Sequence, residues 1–79
     1  MATKRIKLTF SQDLIKEPVI FTMAKKFDVM PNIRRAKVTE SVGEVVLELE
    51  GDEKKLEQGI AYLQERGVKV EAVEENGAG

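Results

Sequence analysis

The order in which two hydrophobic periods alternate restricts the fold of this chain more than any other feature. Ile6, Leu8 and Phe10 alternate with Arg5, Lys7 and Thr9, a period of two that predicts a half-buried strand over residues 5–10. Ser11 to Glu17 reads as a connector, and Pro18 suits the first turn of a helix, where its missing N–H costs nothing. Val19, Ile20, Met23, Ala24 and Phe27 then form one helical stripe that ends near Asp28. Met30-Pro31-Asn32 interrupts it, because the residue before a proline avoids the helical region. Ile33 to Glu40 is predicted as the second strand, with Ala36 and Val38 toward the core and Ile33, Arg35, Lys37 and Thr39 away from it. Ser41-Val42-Gly43 is a hairpin connection, and Glu44 to Glu50 is a third strand with Val45, Leu47 and Leu49 inward. Gly51-Asp52-Glu53 opens a second helix with acidic residues where its dipole favours them. Leu56, Ile60 and Leu63 are its stripe, Gly59 is expected to let it approach the sheet closely, and Gly67 is its stop. Val68, Val70 and Ala72 alternate with Lys69, Glu71 and Val73 as a fourth strand.

The order is therefore βαββαβ, the split-βαβ or ferredoxin-like signature. The expected class is α+β: a four-stranded antiparallel sheet in the order 4-1-3-2, with two helices on one face. Charge supplies an independent check. Outward residues are basic on strand one (Arg5, Lys7) and strand two (Arg35, Lys37), mainly acidic on strand three (Glu44, Glu48, Glu50) and mixed on strand four (Lys69, Glu71). The order 4-1-3-2 places each basic strand beside an acidic or mixed one, and opposite charges across strands contribute roughly 0.2–1 kcal/mol per pair. The order 1-2-3-4 would make the basic strands neighbours.

Seventy-nine residues hold one domain. Its expected limits are residues 5–73, with a flexible start over 1–4 and a flexible polar tail over 74–79. A domain this small buries roughly 60% of its unfolded surface, so its margin of stability is small. With no Cys and no His, the chain has no disulfide, no thiol or imidazole chemistry and no Cys/His metal site. No cofactor is expected, and no pair of side chains forms an acid, base or nucleophile constellation, so the reading is non-enzymatic. No apolar run approaches the ~20 residues of a membrane span, and a cytoplasmic protein is expected. The net charge of −1 argues against nucleic acid or an acidic membrane as a general electrostatic partner.

Other proteins of this topology carry chemistry that is missing here. RNA-binding members stack bases on aromatic residues of the open sheet face, where this chain has Arg5, Lys7, Thr9, Glu48 and Glu50. Metallochaperones need a cysteine pair after strand one. Acylphosphatases need a Gly-rich loop with an arginine there, and Ser11 to Glu17 has neither. The most informative stretch is Met30-Pro31-Asn32-Ile33. Asn32 either satisfies nearby backbone groups or presents an amide to a polar ligand. Ile33, Val46 and Val73 are apolar at outward positions, and strand two lies at a sheet edge whose unpaired backbone groups are able to join a second subunit. Arg34, Arg35 and Lys37 fit protection of that edge equally well. Met23 is read as core and Tyr62 as boundary packing.

The ordered combination of Glu17-Pro18-Val19-Ile20, Phe27-Asp28-Val29, Asn32-Ile33, Gly43, Leu47-Glu48-Leu49-Glu50-Gly51 and the stretch from Ala61 to Glu71 resembles the NIL domain over residues 4–73. The resemblance implies a ferredoxin-like regulatory domain of the kind appended to the ATPase subunit of methionine-import ABC transporters. Such a domain pairs with a second copy and binds the amino acid near the interface, inhibiting import. With no ATPase and no cluster cysteines, the chain looks like a stand-alone member. Asn32 and Ile33 match the first two letters of the family's Asn-Ile-Leu triplet, and the third is Arg34 instead of Leu. The implied ligand is methionine or a related sulfur amino acid. Asn32 would bond its polar end, and Met30, Pro31, Ile33 and Val38 would line its apolar part. Arg34 leaves two readings open: a guanidinium that pairs with a ligand carboxylate, or a member that kept the fold and lost the ligand. In the second reading the domain is a protein-interaction module that docks on a redox or sulfur-metabolism partner.

Overall fold

A computed structural model describes residues 2–15 and 17–73. Strand β1 (Ala2–Ser11) leads through a short helix, α1 (Gln12–Ile15), into α2 (Val19–Phe27). Strands β2 (Met30–Val38) and β3 (Val42–Gly51) form a hairpin, followed by α3 (Glu53–Glu65) and β4 (Lys69–Ala72). The sheet order is β2-β3-β1-β4, which is the expected 4-1-3-2 read from the other edge, and every pairing is antiparallel. The ferredoxin-like α+β class holds, with one added turn of helix in the expected connector.

Alternation in β1 and β3 sets the two faces of the sheet. Ile6, Leu8, Phe10, Val45, Leu47 and Leu49 are buried beneath the helices. Val19 and Met23 from α2, Leu56 and Leu63 from α3, and Val29 and Val68 from the connections complete the core. Tyr62 packs at the boundary, its ring centroid 5.8 Å from that of Phe27.

Helix ends follow local chemistry. The Asp52 carboxylate accepts from the backbone N–H groups of Lys54 and Lys55, capping α3. At its other end the N–H of Gly67 donates to Gln64 and that of Val68 to Leu63, the paired bonds of a Schellman turn. Gly67 takes φ +93° there, a conformation that glycine adopts without a Cβ clash. Asp28 ends α2 in the left-handed region, at φ 56°. Gly59 does not face the sheet as expected. A Cβ on it would lie 2.9 Å from Sδ of Met23, so the missing side chain lets α3 approach α2.

The second strand departs most from the expected pattern. It begins at Met30 and ends at Val38, where residues 33–40 were expected, and the hairpin turns at residues 39–41. Thr39 closes this turn, its N–H donating to the Val42 carbonyl at 2.8 Å. Ile33 opposes the buried Leu47, so it lies on the helix side of the sheet and not outward. The register then slips: Ile33 pairs with Leu47 and Arg35 with Val46, leaving Arg34 as the extra residue of a bulge. The slip resets the alternation, so Ala36 and Val38 also lie on the helix side, opposite Val45 and Gly43. The helices do not cover them. Val38 is 64% exposed and Ile33 55%.

Candidate functional site

The residues singled out from sequence all lie on β2, a strand with one neighbour and one free edge. The structure distributes them over both faces. Met30, Asn32 and Arg34 are on the open face: Met30 opposes Glu50, Asn32 opposes Glu48, and Nη1 of Arg34 lies 3.7 Å from Oε1 of Glu48. Pro31, Ile33 and Val38 are on the helix side, opposite Leu49, Leu47 and Gly43. The six therefore do not form one pocket within a single chain. They flank one free edge from the two faces of the sheet.

Phe21 is a surface residue that the sequence pattern did not single out. It projects from α2 and is 66% exposed. With Val38, Phe10, Leu14, Val19 and Val45 it lines an apolar groove of about 190 Å³ between the start of α2 and the end of the β2–β3 hairpin. The available signal was that Phe21 falls off the stripe formed by Val19, Met23 and Phe27. A large aromatic residue outside the stripe marks exposed apolar surface.

The open face carries an ion-pair ladder. Arg5 donates from Nη2 and Nε to Oε2 of Glu48 at 2.6 and 3.2 Å. Lys7 lies 3.4 Å from Glu44. These pairs join β1 to β3 as the charge pattern implied. The hydrogen bond from Arg5 is the main reason that the Glu48 carboxyl is held below its ordinary range; burial opposes this, and the charges of Arg5 and Arg34 reinforce it. A lowered folded-state pKa contributes stability that is present above the ordinary glutamate range and is lost as pH falls through the folded value. Carbon-detected NMR titration should show Glu48 titrating below free glutamate, and Arg5→Gln should return it upward. An ordinary midpoint in the wild type would remove the role given to Arg5.

Among the described residues no cluster of three metal-ligating side chains occurs, and no helix is long and apolar enough to cross a membrane.

Known proteins match this chain in family and in fold. The NIL domain family matches residues 4–72. A methionine import ATP-binding protein, MetN 1, of Listeria innocua is 37% identical over 75 residues, covering 90% of this chain and 22% of the relative. The methionine import ATP-binding protein MetN of Coxiella burnetii is 32% identical over 72 residues, covering 86% of this chain and 20% of the relative. The chain thus spans about a fifth of the length of these relatives. A solved C-terminal domain of an ABC transporter ATP-binding protein from Enterococcus faecalis superimposes with a TM-score of 0.81 at 22% identity. That likeness covers 91% of this chain and 84% of the solved domain. A ferredoxin-like sheet with its βαββαβ order, together with a family match over residues 4–72, makes this chain a member of the NIL domain family.

Proposed function

We propose that this chain is a non-enzymatic regulatory domain of methionine import. It binds methionine or a related sulfur amino acid at the free edge of β2, where a second copy pairs with it. The observation that carries this reading is the make-up of that edge: Asn32 lies between the exposed Met30 and Ile33 on a strand with one free edge. The Asn32 amide offers a donor and an acceptor to the polar end of the ligand. Met30 and Pro31, with Ile33 and Val38 on the helix side, offer apolar contact to the thioether part. A second copy added along β2 satisfies the edge N–H and C=O groups and removes this exposed apolar surface from water. Family membership and the methionine-import relatives support the choice of ligand.

Thermal unfolding with and without methionine, alongside the solution mass, tests this. A ligand at one hundred times its dissociation constant stabilises by about 2.7 kcal/mol, which moves the midpoint of a domain this size by on the order of ten degrees. The expected result is a dimeric mass, a shift with methionine, and loss of the shift in Asn32→Ala. An unchanged shift in Asn32→Ala would remove the role given to Asn32. No shift with any amino acid would move the reading to a module that docks on a protein partner through the same edge.

A further inference from the structure

The bulge at Arg34 has a chemical result on the open face. In a regular strand two successive residues point to opposite sides of the sheet. Here Arg34 reaches Glu48 on the open face, and Arg35 opposes Val46 on that same face. Lys37, opposite Glu44, adds a third cation from the same strand. Together with Arg5 and Lys7 of β1, these side chains surround a depression of about 560 Å³. Val46 and Val73 supply its apolar surface.

The charges within it do not cancel. Glu48 is shared by Arg5 and Arg34, and Glu44 is engaged by Lys7. Arg35 and Lys37 have no carboxylate partner within 4.0 Å among the described residues. Glu71 stands beside Lys7 on the β4 side, away from β2. Five cations and one carboxylate, Glu44, therefore line the depression, with Glu48 paired to two of those cations, in a chain whose net charge is −1. Like charges on one edge strand repel, and an anion is the species that relieves them. Guanidinium groups hold carboxylates and phosphates through paired N–H bonds. The volume falls within the roughly 300–1,000 Å³ of small-molecule sites.

We infer that this depression is a binding site for a small multivalent anion, held by Arg35 and Lys37 with Arg34 beside them. The anion carries at least two negative charges, as phosphate or as carboxylate groups. Methionine, with one carboxylate and one ammonium, does not match that demand, so this site is separate from the one proposed at the strand edge.

Isothermal titration of the full chain with sodium pyrophosphate and with citrate, at constant ionic strength set by NaCl, tests the inference. Saturable binding of at least one anion at one site per chain is expected. Arg35→Gln combined with Lys37→Gln should weaken it by roughly tenfold or more, the scale of a lost charge-assisted contact. Both side chains are exposed, so the unfolding midpoint of the double variant should match the wild type. Preference for pyrophosphate identifies phosphate as the recognised group, and preference for citrate identifies carboxylate. Absence of saturable binding for both anions overturns the inference, as does binding that the double variant leaves unchanged. Neither result depends on methionine binding, which is read separately by its thermal shift.

Discussion

Leu47→Ala should lower the unfolding midpoint by about 10–30 °C. Leu47 has no exposed surface and occupies the middle of β3, opposed by Ile6 on one side and Ile33 on the other. Removing a buried leucine side chain costs about 2–5 kcal/mol through lost transfer energy and the cavity left behind. A chain of 79 residues has a total stability of about 4–12 kcal/mol at ~0.05–0.15 kcal/mol per residue. The substitution therefore removes a large share of the total, and each kcal/mol moves the midpoint of so small a domain by about 4–8 °C. Gln64→Ala is the internal control. Gln64 is exposed on α3, outside both proposed sites, and its loss should stay within about 0.5 kcal/mol. Thermal melts followed by circular dichroism read both, and a Leu47→Ala midpoint within five degrees or so of wild type would contradict the placement of the core.

Gly59→Val should destabilise by about 1–3 kcal/mol, the cost of forcing extra methyl groups into a packed contact. Its Cβ would meet Met23 Sδ at 2.9 Å and Met23 Cγ at 3.4 Å, with the Phe27 ring at 3.9 Å behind them. Met23 is itself fully buried, so its flexible side chain has no open space to move into. The Met23→Ala background separates this clash from helix propensity. There the space is vacated, and the same Gly59→Val change should cost less than in the wild type. Valine forms helix better than glycine, so equal costs in the two backgrounds would place the origin outside the α2–α3 contact.

The fold was legible because β1, β3 and α3 keep clean periods, and because the outward charges fix which strands are neighbours. Arg5–Glu48 and Lys7–Glu44 are those charges meeting across β1 and β3. Strand β2 was read less well, for two physical reasons. Pro31 reads as a break in sequence, yet a proline needs only a position whose missing N–H leaves no ladder bond unmade, and an edge strand provides it. The bulge then shifts the phase of the side chains by one residue, so a single alternation cannot describe both Ile33 and Val38. Reading Val38 and Ala36 as inward and Ile33 as outward followed from counting in twos through position 34. The α1 turn was missed because four residues are too few to display a helical period. The candidate residues were found as a contiguous stretch, but their division between two faces depends on the register, which no local pattern reveals.

The ladder has no rung at position 34. Every other residue from Met30 to Val38 faces a counterpart on β3. Substitution at the unmatched position changes which chemical group the strand displays, and with it the Arg34–Glu48 ion pair, but no pairing of the ladder. The departure from the family triplet, Arg34 in place of Leu, falls on that position. The bulge thus acts as an interchangeable socket on an otherwise fixed frame: one codon there exchanges the displayed group while the backbone pairing of the sheet and its free edge stay as they are.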